Sequence, residues 1–215
     1  MTAGSADPDD DTLTRAGLAA RGEGRVLILA CGALAREILA IIAANGWTHI
    51  DLQCLPAILH NTPDRITPLV EETVTAAGSR YDRILVVYAD CGTGGQLAAA
   101  CDRLGVEMIE GPHCYSFFAG NAVFATHGEG RGFWVTDFLV RQFDAFVWRP
   151  LGLDRYPELR DSYFVNYETL IYLAQTDDPA LDSLARGHAA RLGLAYERRL
   201  TGYGDLPAAL ARAAG

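Results

Sequence analysis

The stretch Ile84-Leu-Val-Val-Tyr-Ala-Asp-Cys-Gly-Thr-Gly-Gly-Gln-Leu97 decides the fold. A continuous apolar run stops at Asp90-Cys91, passes through three glycines in four residues and enters a helical pattern. This is the signature of a buried strand, a tight turn and a helix N-terminus. Such a turn aims backbone N–H groups and a helix dipole at one spot, and Cys91 places a thiol there.

The same grammar repeats on either side. Arg25–Ala30 reads as a strand ending in Cys31-Gly32, followed by a helix over Ala33–Asn45. Ile50–Leu55 is a second strand, Pro56–Pro63 its exit loop, and a helix runs from there to Ala77. The third strand is Asp82–Tyr88, and a helix follows over Gly95–Leu104. Val106–Glu110 is a fourth strand that exits through Gly111-Pro-His-Cys114 into a helix over Tyr115–Ala125. Gly132–Thr136 is a fifth strand and Phe138–Phe146 a helix. Beyond Pro150 the pattern predicts helices over Ser162–Gln175 and Pro179–Leu192, a strand over Leu194–Leu200 and a closing helix over Asp205–Ala214. Alternation of this kind predicts an α/β, Rossmann-like fold. Its mainly parallel sheet has about five or six strands, flanked by helices and covered by a helical C-terminal third. Residues 1–24, acidic and small, read as a flexible tail, and residues 25–215 as a single domain.

Composition narrows the function classes. The chain has 215 residues, a net charge of -9, and arginine but no lysine. A Schiff-base lysine and a P-loop lysine are excluded, and a nucleic-acid partner would need a basic footprint. No apolar run is long enough to span a membrane. The expectation is a soluble, cytoplasmic protein acting on a small molecule. Its five cysteines do not form a secreted disulfide framework.

Several motifs together resemble one family. They are Ala30-Cys-Gly-Ala-Leu-Ala-Arg-Glu37, Leu55-Pro-Ala-Ile-Leu-His-Asn-Thr-Pro63, Tyr88-Ala-Asp-Cys-Gly-Thr-Gly-Gly95, Gly111-Pro-His-Cys-Tyr115, Thr136-Asp-Phe-Leu139 and Leu151-Gly-Leu-Asp154. The chain looks like the uncharacterised domain-of-unknown-function family 1638 from Arg25 to Gly204. The resemblance brings no catalytic residues with it. It implies a setting near corrinoid-dependent methyl transfer, and methyltransferase-system proteins as partners.

Ligands of parallel α/β sheets sit beyond the carboxyl ends of the strands. Cys31, Cys91 and Cys114 fall there, with His60 and His113 in comparable exit segments. Three thiolates with one open position suit zinc or an iron–sulfur cluster, with His60 or His113 as a fourth ligand. His113 or Asp90 would then serve as acid/base or orienting group, although Asp90 also suits a turn cap. The alternative for all three thiols is that they are small buried residues. Cys54 and Cys101 fit that alternative better, and His188 reads as a helix-surface residue. A second function reading uses Gly92, Thr93, Gly94 and Gly95 as an anion or cofactor nest in a non-catalytic accessory module. A third takes the same turn for the glycine motif of an S-adenosylmethionine-dependent methyltransferase, with Glu110 on the ribose. Tyr88, Tyr115, Phe117, Phe118 and Trp134 form an aromatic concentration that is either core or a pocket wall.

Overall fold

Val26–Cys31 (β1) is the middle of the first half of the chain. Its run Leu27-Ile-Leu-Ala30 has no exposed surface, as a strand covered on both faces requires. In the computed structural model, which describes residues 8–127 and 130–214, the first helix Asp10–Arg15 (α1) precedes it and Ala35–Ala44 (α2) follows it. Then come Ile50–Leu55 (β2), Ile66–Ala77 (α3), Arg83–Val87 (β3), Gln96–Leu104 (α4) and the two-residue Glu107–Met108 (β4). The sheet order is β2-β1-β3-β4 and every pairing is parallel.

The second half continues with Ser116–Ala119 (α5), Asn121–His127 (α6), Gly132–Thr136 (β5), Asp137–Arg141 (α7) and Arg160–Tyr163 (α8). Thr169–Ala174 (β6), Pro179–Leu192 (α9), Ala195–Leu200 (β7) and Leu206–Ala214 (α10) complete it. Its sheet is parallel, in the order β5-β6-β7. By their internal contacts the two sheets define two compact units. One runs up to Pro112 and resumes at Pro207; the other is His113–Leu206.

The α/β class and the parallel strands are as expected, but the strands form two sheets of four and three, not one of five or six. The C-terminal third is correspondingly not a helical cover. The second half of the expected helix Ser162–Gln175 is strand: Thr-Leu-Ile-Tyr-Leu-Ala is a continuous run, buried from Leu170 to Ala174. A run buried on both faces carries no strict period, and Phe164, Tyr167 and Ile171 matched the helical spacing by chance. The expected helix after β5 also breaks, with a π-helical turn at Asp144–Trp148. Gly120, at φ 83°, splits another into α5 and α6.

Residues 8–24 do not trail away from the fold. The Asp9 carboxylate caps α1, accepting from the Thr12 N–H at 2.9 Å, and Leu13 is fully buried. Leu18 and Cys54 exchange backbone hydrogen bonds of 2.9 and 2.8 Å in an antiparallel bridge. The physical reason is the outer edge of β2, whose N–H and C=O groups need partners. Gly32 is required by the same packing, since a Cβ there would lie 2.4 Å from the Leu13 carbonyl oxygen. Residues 1–7 of the expected tail lie outside the described residues.

His188, expected at a helix surface, is buried. Its Nε2 lies 2.9 Å from the Val140 carbonyl oxygen and its ring stacks on Phe143 at 4.0 Å. Val140 is near the end of α7, where the helix gives way and leaves a carbonyl to be satisfied.

Two outcomes follow from this packing. Leu13→Ala is expected to destabilise the fold by about 2–4 kcal/mol in urea denaturation; an unaffected midpoint would mean the N-terminal segment is loose. Burial, with help from Arg191, holds the His188 pKa below its ordinary value, so the unfolded chain binds the extra proton. Stability is therefore expected to fall as pH drops below about 6.5 and to level off once the folded-state value is passed. In His188→Leu the decline over that window should be smaller.

Candidate functional site

The sheet order β2-β1-β3-β4 contains a topological switch. The chain steps outward from β1 to β2, then returns to place β3 on the other side of β1. Loops leaving β1 and β3 therefore diverge, and in parallel α/β sheets ligands bind at such a point, beyond the carboxyl ends of the strands. Cys31 ends β1, and the turn Asp90–Gly95 lies just beyond β3.

Asp90 organises that turn. Its carboxylate accepts from the Thr93 hydroxyl at 3.0 Å, the Gly94 N–H at 3.2 Å and the Gly95 N–H at 2.7 Å. The Thr93 N–H donates to the Asp90 carbonyl oxygen at 2.9 Å. Gly94 and Gly95 have φ of 61° and 82°, which swings their N–H groups onto one carboxylate and which side chains resist. These hydrogen bonds, the Gly95 one foremost, hold the Asp90 carboxyl below its usual range. Asp90 is thus an ionised turn cap and a poor proton acceptor near neutrality. The nest of Gly92–Gly95 already holds an anion, and it belongs to the chain itself. Of the expected anion-binding residues Gly92, Thr93, Gly94 and Gly95, the Thr93 hydroxyl and the Gly94 and Gly95 N–H groups donate to this carboxylate.

Cys91 carries the conformational cost of the turn. Among the described residues it is the one non-glycine residue with positive φ, 48°. A left-handed residue with a Cβ costs roughly 1–2 kcal/mol. The strain is held by neighbouring loops. The Asp90 and Cys91 N–H groups donate to the carbonyls of Gly111 and Pro112, at 3.0 and 3.2 Å, prolonging the β3–β4 ladder. From the exit of β2, Pro63 stands 3.5 Å from where a Gly92 Cβ would be. Three exit loops therefore meet around one buried thiol.

Cys31 and Cys91 are close enough to interact electrostatically. Burial pushes the Cys31 thiol up to about 12, against hydrogen bonds from the Ala33 N–H and the Tyr88 hydroxyl. Burial therefore disfavours a thiolate at this position. The 3₁₀ turn Gly32–Leu34 leads straight into α2, and the cost of burying the thiolate still outweighs the dipole of that helical start. Cys54 pairs in register with Ala30 and so faces the opposite side of the sheet from Cys31. Cys101 is buried within α4.

The remaining expected ligands are His60, His113 and Cys114. His60 is exposed on the 3₁₀ segment Ala57–Asn61. His113 and Cys114 belong to the second unit, both half-buried, and the His113 ring stacks on Tyr115 at 4.8 Å. Among the described residues no group of three or more His, Cys, Asp or Glu is placed to hold a metal ion. Of the aromatic concentration, Tyr115 and Trp134 do cluster, with Phe124 as a partner that sequence reasoning missed. Phe117 and Phe118 are core. Asp137, in the first turn of α7, is a buried hub. It accepts from the Tyr172 hydroxyl (2.7 Å), the Gln175 N–H (2.9 Å) and both the N–H and hydroxyl of Thr176 (3.1 and 2.6 Å). The only signal in the sequence was its place directly after a strand.

Fold and site together define a class: an α/β protein of parallel sheets with a strained cysteine turn at a topological switch point. More particularly, the chain belongs to the family described as "Protein of unknown function (DUF1638)", whose model matches residues 54–210. The matched stretch includes Cys91 and its turn and begins after Cys31. Neither the curated proteins nor the solved structures gave a match. No helix among the described residues is long and apolar enough to cross a membrane.

Asp90→Ala is expected to cost about 1–3 kcal/mol, because it strands the glycine N–H donors. The Asp90 contribution should persist above the ordinary carboxylate value of about 3.8 and be lost as pH falls through the lower folded-state value. Denaturation midpoints of the two proteins against pH check both, and converging midpoints in acid are the expected pattern.

Proposed function

We propose that the protein is a small-molecule enzyme whose reacting group is the Cys91 thiol, set beyond the carboxyl ends of β1 and β3. The observation that carries this reading is the left-handed backbone at Cys91. Glycine would occupy that position at no steric cost, and strain retained at a non-glycine residue points to a role for its side chain. The reaction class is covalent catalysis. The thiol gives its proton to solvent, sulfur forms a bond to an electrophilic carbon of the substrate, and the leaving group departs with its electron pair. Asp90 acts as a positioning residue, holding the turn that aims the sulfur. The buried Cys31 thiol forms a neutral, low-dielectric wall beside it.

Two measurements test this. Brief treatment of the folded protein with iodoacetamide, read by peptide mass mapping, should alkylate Cys91 while Cys31, Cys54 and Cys101 stay unmodified. A Cys91 that reacts no faster than these three sinks the proposal. Separately, Cys91→Gly should be more stable than Cys91→Ala by about 1 kcal/mol, the reverse of the order at ordinary positions.

A metal-dependent reading is supported by the proximity of the Cys31 and Cys91 thiols, at the end of β1 and in the turn that follows its neighbour β3. Zinc or an iron–sulfur cluster would reverse the effect of burial on Cys31 by taking its proton's place. Elemental analysis of protein purified without oxygen should then find about one equivalent per chain, and less than about a tenth would exclude a tight site.

A further inference from the structure

Trp134 lies on β5 and is 8% exposed, yet its indole Nε1 is buried with no hydrogen-bond acceptor among the described residues. A buried N–H left unpaired forgoes about 1–3 kcal/mol, and folded proteins keep few of them. The surroundings of this one are specific. The Tyr115 ring is parallel to the indole within 1°, with centroids 6.4 Å apart, and His113 stacks in turn on Tyr115. Phe124 sets its edge against both Tyr115 and Trp134, at 5.5 and 5.6 Å. Arg199 of β7 places its guanidinium carbon 5.1 Å from the indole centroid, its Nε donating to Glu197 at 2.6 Å. Gly132, two residues before Trp134, lies beside the N–H; a Cβ there would stand 3.3 Å from Nε1 and 2.6 Å from Ile171 Cδ1. Phe124 is buried, whereas His113 and Tyr115 are half-exposed and form the side open to solvent.

We infer that this face of the three-stranded sheet binds a planar aromatic carboxylate. Flat rings stacked in parallel suit an aromatic ligand. The missing acceptor for the indole N–H calls for an oxygen, and the guanidinium alongside calls for that oxygen to be anionic. The ring of the ligand rests against the Tyr115–His113 stack, and its carboxylate bridges Trp134 Nε1 and the Arg199 fork. The site lies wholly within the His113–Leu206 unit and is independent of the chemistry assigned to Cys91.

The test uses the full chain labelled with ¹⁵N and quinoline-2-carboxylate as probe. Trp134→Phe assigns the indole N–H resonance, and Trp47 and Trp148 serve as internal controls. The Trp134 resonance should move downfield saturably as its N–H gains an acceptor, while the other two stay in place. Arg199→Met, a change at a part-exposed residue, should weaken the effect about tenfold. A Trp134 resonance unmoved by the probe at several millimolar overturns the inference. So does a shift that is equal with unsubstituted quinoline, or equal in Arg199→Met. Movement with tetramethylammonium in place of the carboxylate would assign the aromatic cluster to cations and overturn it as well.

Discussion

The clasp between the Asp90 carboxylate and the N–H groups of its own glycine turn is the constraint on which the carboxyl edge of the first sheet depends. A turn rich in glycine is entropically expensive to order. One ionised side chain offsets that cost by taking hydrogen bonds from Thr93, Gly94 and Gly95 together. Charge-assisted bonds of this kind are stronger than neutral ones. Once the turn is closed, α4 starts at a fixed place and Cys91 is driven into a conformation it would otherwise avoid. The anion that such turns commonly hold from outside is supplied here from within.

The sheet around that clasp solves a problem of edges. In the order β2-β1-β3-β4, β1 and β3 are covered on both sides, while β2 faces outward. The N-terminal segment completes β2 through the Leu18–Cys54 bridge and anchors itself by burying Leu13. The short β4 extends its pairing through Gly111 and Pro112, which reach the backbone of Asp90 and Cys91. Strand pairing and site geometry are thus one hydrogen-bond system on this edge. The switch between β1 and β3 is where a ligand would find side chains without crossing loops.

The second unit shows two opposite treatments of buried polarity. Asp137 is fully engaged, tying the end of β5 to the end of β6 through Tyr172, Gln175 and Thr176. Burial and the hydrogen bond to Asp137 both raise the Tyr172 pKa, so its hydroxyl keeps the proton it donates. Trp134 is the contrary case, a buried donor with no acceptor among the described residues. A satisfied network specifies the fold, whereas an unsatisfied donor inside a ring cluster points to a missing partner.

By itself the sequence determined the parallel α/β class, the strands from β1 to β5 and the last strand β7. It also placed the Asp90–Gly95 turn at a strand exit and suggested a carboxylate cap, because short-range periodicity and turn chemistry are local properties. Local patterns could not separate the helical spacing of Phe164, Tyr167 and Ile171 from a buried strand, since a strand covered on both faces has no period to read. They could not divide seven strands between two sheets, which depends on pairing between distant segments. Nor could they show that a dipole loses to burial at Cys31, that Asp90 occupies its own nest, or that His188 and Trp134 are enclosed. Each of those depends on which segments pack together, and only the tertiary structure decided them.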